Sequence, residues 1–473
     1  MELSLMATSP TGSNLGSLKA LPRPLKHWRP NIVIRNTFRM IHMYRCALMP
    51  HLPSPSDQTS RLSSPWSTLS IVTCDMIIRN ARLRGHDGLH DVTIEDGKIA
   101  SISFETPSTG EVTIDAAGRL VTESFVVAHL HLDKVWTGRM VTQDALKAYQ
   151  EDSMDTSLAI HLASEVKKGY NEQEITQRVR PLLEEAITHG VTHMRGFADT
   201  DTKARLEAVK ALLNLKSEFK GRLELQVVAF PQEGIESDPG AEEYVEKAIE
   251  LGADVVGGIP WLEPTVDKQE SHIDKMFAIA MKYNRPVAML VDDAGDPNLR
   301  TLEMLASKCI NEGWNGRVQA CHARAMQLYP DDYSTRLASI CKAADIGIVT
   351  DPQTGPLHAR IDTLMEAGVT VALGQDDCYD AYYPYGRCKM IEVAFLCSHL
   401  LRKMTPKDMD TLYDMITINP AKIIGIPDFT LREGRPANLV ILEAASIHEA
   451  FACQAEPALV INQGNVVYEK IGR

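Results

Sequence analysis

Long uncharged apolar runs are missing from this sequence: no stretch of about eighteen such residues occurs, which excludes a bilayer-spanning helix. CxxC pairs are missing too. The nine cysteines (46, 74, 309, 321, 341, 378, 388, 397 and 453) are scattered, so no disulfide framework is read and a reducing compartment, the cytoplasm, fits best. No GxGxxG or GxxxxGK loop follows any strand-like segment, which leaves dinucleotide and nucleoside triphosphate binding without support. Acidic residues are absent from Leu3 to Ser56. Elsewhere they dominate: 62 Asp and Glu against 49 Lys and Arg give a net charge of −13, which argues against a nucleic-acid or anionic-membrane binder.

What is present divides into two compositions. Residues 1–70 hold eight basic and two acidic side chains and are rich in Ser, Pro, Arg and Leu, so this leader carries +6 and the remainder −19. Such a composition suits a mitochondrial transit peptide, a disordered leader or a misplaced start of translation. Pro22, Pro24 and Pro30 interrupt any helical stripe through it. The chain as a whole, 44% hydrophobic, has the composition of an ordinary globular protein.

From Met76 to Ser103, short β-branched segments alternate with turn signals at His86-Asp87-Gly88 and Glu95-Asp96-Gly97. Ala437–Ala444 and Ala458–Glu469 repeat that pattern at the other end. A composite β-sandwich over 71–122 plus 428–473 is expected, enclosing a different domain at 123–427. Within that domain, strand-like segments starting near 121, 191, 223, 254, 286, 317, 346 and 369 alternate with helical ones, beginning near 202, 241, 272, 299, 336, 363 and 389. Eight βα units over about 300 residues predict a (β/α)8 TIM barrel.

Chemistry in such a barrel belongs at the C-terminal ends of its strands. The first strand ends in His129-Leu130-His131-Leu132-Asp133-Lys134, and two histidines at i and i+2 share a face and can share one metal ion. The sixth ends in Cys321-His322 and the eighth in Gln375-Asp376-Asp377. Together they make a mixed nitrogen and oxygen set suited to Zn²⁺, Fe²⁺ or Mn²⁺, with Asp376 also placed to accept a proton from water. Asp377 is expected to point the other way and serve structure.

The segments FVVAHLHLDK, VVAFPQEGI, GADVVGGIPWLEPT, VQACHARAM and LGQDDCYDAYYPYG resemble the cytosine deaminase branch of the metal-dependent amidohydrolase superfamily, over roughly residues 76–470. The resemblance implies one divalent ion, Zn²⁺ or Fe²⁺, held by His129, His131 and Asp376 with His322 beside it. It also implies a Gln232 amide that reads the amide edge of a ring, Tyr382 and Tyr383 as an aromatic wall, and His358 in a loop facing the pocket. A small heterocyclic substrate, no nucleic acid, no membrane and a homo-oligomer are the partners it suggests.

The pattern is broken at the fifth strand. Where the family has H-x-x-E, this chain has Leu290-Val291-Asp292-Asp293, so a ligand position holds leucine and the proton-shuttling glutamate becomes a shorter aspartate. Phe197 and Gln375 also stand where histidine is usual. His322 or Asp292 could supply a fourth ligand, with Asp293 or His322 as the acid for the leaving nitrogen. Three readings follow: a hydrolase that deaminates a cytosine-like or related ring, an inactive barrel that binds a heterocycle or a partner, and an enzyme with a rebuilt metal site.

Overall fold

The computed structural model describes residues 75–106, 112–138, 147 and 156–470; the expectations about the leader lie outside them. Among these residues, sixteen strands fall into two sheets.

The first sheet is built from both chain ends. It contains β1 (Met76–Leu83), β2 (His90–Glu95), β3 (Lys98–Ser103), β4 (Val112–Asp115) and β5 (Leu120–Glu123), then β14 (Leu439–Leu442), β15 (Pro457–Asn462) and β16 (Asn465–Glu469). Strand β1 serves two neighbours: residues 76–79 pair with β4 and, past a bulge, Arg82 and Leu83 pair with β5. Asn80 takes φ 54° at that bulge, a conformation that Asn tolerates. Ile78, Val92, Ile94, Val121, Leu439, Ile441 and Ile461 fill the space between the layers. Two tight hairpins, Asp96-Gly97 and Gln463-Gly464, meet back to back. A Cβ on Gly464 would lie 2.5 Å from Gly97 Cα, so these turns from opposite ends of the sequence need glycine both for positive φ and for contact.

The second sheet is parallel and sequential: β6 (Phe125–Leu130), β7 (Val191–Asp199), β8 (Glu224–Phe230), β9 (Val255–Gly258), β10 (Val287–Val291), β11 (Val318–His322), β12 (Gly347–Thr350) and β13 (Val371–Leu373). With intervening helices such as Glu172–Thr188 and Glu207–Phe219, this is the expected TIM barrel. Among the described residues no helix is long and apolar enough to cross a membrane.

Two local expectations need correction. The segment from Leu120 to Leu130 is not one barrel strand. Ser124 donates its N–H to Asn438 in the sandwich, whereas Phe125 donates to Gly190 at the start of β7, so consecutive amides belong to different sheets. The helix placed near His272 begins six residues earlier, at Val266. Its first inward positions are polar, Gln269 and His272, and both bond to Glu263, which hides the apolar period.

Candidate active site

Strand β6 reaches the site through a bulge. Val126 and Ala128 pack inward against Ala421 and Ile424, while Val127 and Leu130 belong to the core under the helices. The register with β7 slips between Val127 and Leu130, and this extra residue re-aims His129 so that it and His131 both face the barrel axis. On β11, His322 and Ala323 adopt φ 70° and 53°, and beyond β13 Asp376 adopts φ 66°. Left-handed backbone at His322, Ala323 and Asp376 is the kind of strain that a surrounding fold must hold in place.

These turns bring four buried side chains together. Potential ligand atoms of His129, His131, His322 and Asp376 all lie within 4.8 Å of one another. Asp376 Oδ1 is 3.2 Å from His129 Nε2 and 3.9 Å from the Nε2 atoms of both His131 and His322. Ligand atoms around a tetrahedral ion with bonds of roughly 2.0–2.2 Å sit roughly 3.4 Å apart, so the set matches one divalent ion. His322 Nδ1 lies 2.9 Å from Asp351 Oδ1, while its Nε2 is buried with no hydrogen-bond partner. A carboxylate behind an imidazole fixes the tautomer that leaves Nε2 free to ligate. The residues present therefore fit a metal.

Electrostatics point the same way. Burial, reinforced by Lys134 and His129, holds His131 well below the usual histidine range, so its ring is neutral. Burial opposes charge on His322 as well, but Asp293, Asp351 and Asp376 outweigh it and lift the ring to about 9. Asp376 itself is pushed well above the carboxylate range by burial and by Asp351. A divalent ion among them reverses that balance, because it is the largest local charge.

Above the cluster is a narrow cavity of about 20 Å³, enough for one water molecule. Gln232, Asp293, Tyr382 and Leu290 line it, together with Thr156 and Ile160 from the helix Thr156–Ala163. Gln232 Oε1 and the Tyr382 hydroxyl are buried without a hydrogen-bond partner. Phe197 stands edge-on to His129 with ring centroids 4.5 Å apart, packing where a histidine was expected.

Four sequence expectations turn out differently. Asp377 lines the cavity, because the left-handed turn at Asp376 ends the strand alternation on which the outward expectation rested. Asp292 is no ligand: its carboxylate accepts from Thr301 N and Oγ1 at 2.7 Å each and from the Tyr329 hydroxyl at 2.8 Å, capping the helix Thr301–Asn311. His358 is half-buried and places Nδ1 2.8 Å from the Ala359 carbonyl; it is not among the cavity-lining residues. Tyr383 donates to the Gln353 carbonyl, so Tyr382 alone of the pair lines the cavity.

Other charged residues escaped sequence reading. Arg324 and Asp351 sit at the ends of β11 and β12, where the strand-end rule could have found them. A buried lysine network flanks the site: Lys134 Nζ is 2.5 Å from Asp199, and Lys167 Nζ reaches Asp199 at 2.9 Å, Asp201 at 2.5 Å and Glu233 at 2.9 Å. Lys134 stands three residues after His131 of the HxH motif, which was a signal; Lys167 gave none.

Residues 142–468 match the family model described as "Amidohydrolase family". The chain belongs to the amidohydrolase family. This amidohydrolase is 30% identical over 396 residues, covering 83% of its own length and 97% of the relative, to N-isopropylammelide isopropyl amidohydrolase of Pseudomonas sp. (strain ADP). It is 24% identical over 396 residues, 80% of itself and 87% of the other, to the pterin deaminase of Rhizobium rhizogenes. Among solved structures, 5-methylcytosine deaminase from Klebsiella pneumoniae liganded with 5-fluorocytosine superposes with a TM-score of 0.77 at 33% identity, covering 84% of this chain and 98% of that one. The amidohydrolase is thus a metal-dependent member of its superfamily and a hydrolase of carbon–nitrogen bonds other than peptide bonds.

Proposed function

We propose that this amidohydrolase cleaves the bond between a ring carbon and an exocyclic nitrogen of a small planar heterocycle, cytosine-like or related. One Zn²⁺ or Fe²⁺ is held by His129, His131, His322 and Asp376. The observation that carries the reading is the convergence of those four ligand atoms on the floor of a cavity that also presents the unpartnered Gln232 amide. The relatives named above act on nitrogen heterocycles according to their names, which favours the same substrate class.

A divalent ion in this cluster supplies the Lewis acidity that lets a hydrolase draw a nucleophile from water near neutral pH. The side chains do the rest. Gln232 offers an acceptor and a donor pair to the amide edge of the ring, and the Tyr382 ring borders its face. Asp376 takes the proton of the attacking water. Asp293, whose Oδ2 lies 3.9 Å from His322 Nε2, takes the remaining proton of the added water and passes it to the departing nitrogen. Water adds to the ring carbon, the carbon–nitrogen bond breaks, and a ring carbonyl and a free amine result.

The rebuilt-site reading has a specific observation in its favour. With leucine at position 290, His322 lies within reach of the other three potential ligands and has Asp351 set behind it, which supports His322 as the fourth. Ammonia or amine release by metal-replete protein across pyrimidines, pterins, triazines and lactams is the test. Release from at least one ring class, abolished by His131→Ala, is expected; silence across the panel refutes the proposal.

A further inference from the structure

Arg324 is fully buried, and its fork is shared among the ends of three strands. Nε donates to Asp293 Oδ1 at 2.7 Å, beyond β10. Nη2, with two hydrogens, lies within reach of Asp351 Oδ2, Thr354 Oγ1 at 2.8 Å, Asp376 Oδ2 at 3.3 Å and His322 Nδ1 at 3.4 Å, and Nη1 donates to the Leu357 carbonyl at 3.3 Å. The left-handed pair His322 and Ala323 directs His322 and Arg324 to the same side. Backbone bonds from Ala323 N to the Val291 carbonyl and from Ala325 N to the Asp292 carbonyl tie that turn to β10.

A guanidinium this deep is costly unless every donor is used. Here it also answers one of the two oddities of the fifth strand, the shortened carboxylate. An aspartate one methylene short of glutamate sits farther back, and Arg324 holds one of its oxygens while leaving the other toward His322 and the cavity. The same fork holds the Asp376 oxygen that does not face the imidazoles. Three carboxylates (Asp293, Asp351 and Asp376) against one permanent guanidinium leave two negative charges, which one divalent ion balances.

We infer that Arg324 is a positioning residue for the reaction, fixing Asp293 at the cavity and Asp376 against the metal cluster, and so makes the shortened acid of the fifth strand workable. The inference rests on the function proposed above. It is specific to this chain because it joins Arg324 to the substituted position 293.

The test uses the full-length, metal-replete enzyme and any substrate found in the panel. Arg324→Met keeps volume and removes the fork. With metal content near that of wild type, kcat is expected to fall on the order of a hundredfold with KM changed by less than about threefold, the signature of a misplaced group rather than lost binding. Asp293→Asn should lower kcat comparably, and the double variant should be no worse than the poorer single one, because both remove the same unit. Arg324→Ala should regain at least about tenfold in kcat with millimolar guanidinium and nothing with methylammonium. Arg324→Lys carries the same kcat comparison if Arg324→Met does not fold. Fully multiplying effects in the double variant, or loss of activity explained by metal loss alone, overturn the inference.

One readout is independent of turnover. Loaded with Co²⁺, Arg324→Met should bind the ion yet shift the visible absorption, because Asp376 Oδ2 keeps its contact with Thr354 but loses the one with Arg324. An unchanged spectrum overturns the Asp376 half of the inference even if wild type acts on no compound of the panel, an outcome that refutes the proposed function instead.

Discussion

Leu290 faces the cavity with its side chain packed among Phe197, Val228, Phe230 and Ala288, an apolar wall rather than a vacant ligand position. Returning the family pattern with Leu290→His plus Asp293→Glu would therefore put an imidazole into this apolar wall and push a longer carboxylate against Arg324. A loss of at least about tenfold in kcat is expected, since shifts of 1 Å at such groups have that order of effect; a gain in both rate and metal content would mean that the native site is an eroded one. Asp351→Asn should weaken metal binding by roughly 10- to 100-fold, measured by competition with a chelator, as is typical when the partner behind a ligating imidazole is changed. His193 provides a pH test away from the metal. Buried against Phe429, its ring is lowered by burial to about 4. Above pH ~6.5 neither state is charged there. As pH falls from about 6.5 to about 4, the unfolded chain binds a proton that the native state refuses, and stability drops by on the order of 3 kcal/mol. Denaturant unfolding at pH 7 and pH 4.5 should show that difference shrink in His193→Gln.

The loop after β8 depends on Glu263 from the neighbouring β9 end. Its carboxylate accepts from Ile235 N at 2.6 Å, Glu236 N at 3.0 Å and the Ser237 hydroxyl at 2.7 Å. His272 Nε2 accepts from Ile259 N, so its Nδ1 carries the proton and donates to Glu263 at 2.9 Å. Against the cost of burial, these donors hold Glu263 down at about 2. The clamp sets the turn that presents Gln232. Gly234 sits within it at φ +87°, where a Cβ would come 2.7 Å from Glu263 Oε1. Gly234→Ala should therefore displace Gln232 and raise KM by about tenfold, with less change in kcat. Unchanged steady-state constants would show that the loop does not set substrate affinity. This clamp also shows why part of the site was legible and part was not. The HxH pair, His322 and Asp376 stand out because strand periodicity and the barrel rule act locally. Glu263, Asp351, Arg324 and Lys167 are buried charges satisfied by residues distant in sequence, and charged letters read along a chain look solvated. Asp377 misled for a related reason: alternation holds only while φ stays extended.

Across the whole chain, strand count and the pairing of the two ends were readable because each βα unit and each hairpin has its own signature. The switch of sheets at Ser124 was not, since no glycine or proline marks a break between the polar Thr122-Glu123-Ser124 and the apolar Phe125-Val126-Val127. How the barrel is closed was equally invisible. Low on the barrel wall, Val126 N donates to the Ile416 carbonyl and Leu373 N to the Met415 carbonyl, so β6 and β13 are bridged by another segment. They join directly at the top, where Gln375 N and Asp376 N donate to the His129 carbonyl and His131 N donates to the Asp376 carbonyl. Three of the four metal-cluster residues thus form the seam between the first and last strands. An ion held by these residues would tie the first strand to the last, so that its departure and the parting of the seam would be coupled. Chelation should speed amide exchange at His131, Gln375 and Asp376 well before exchange rises in β8 or β9. Metal release should then be no faster than that local opening, so exchange rates measured without substrate set the lifetime of the loaded enzyme.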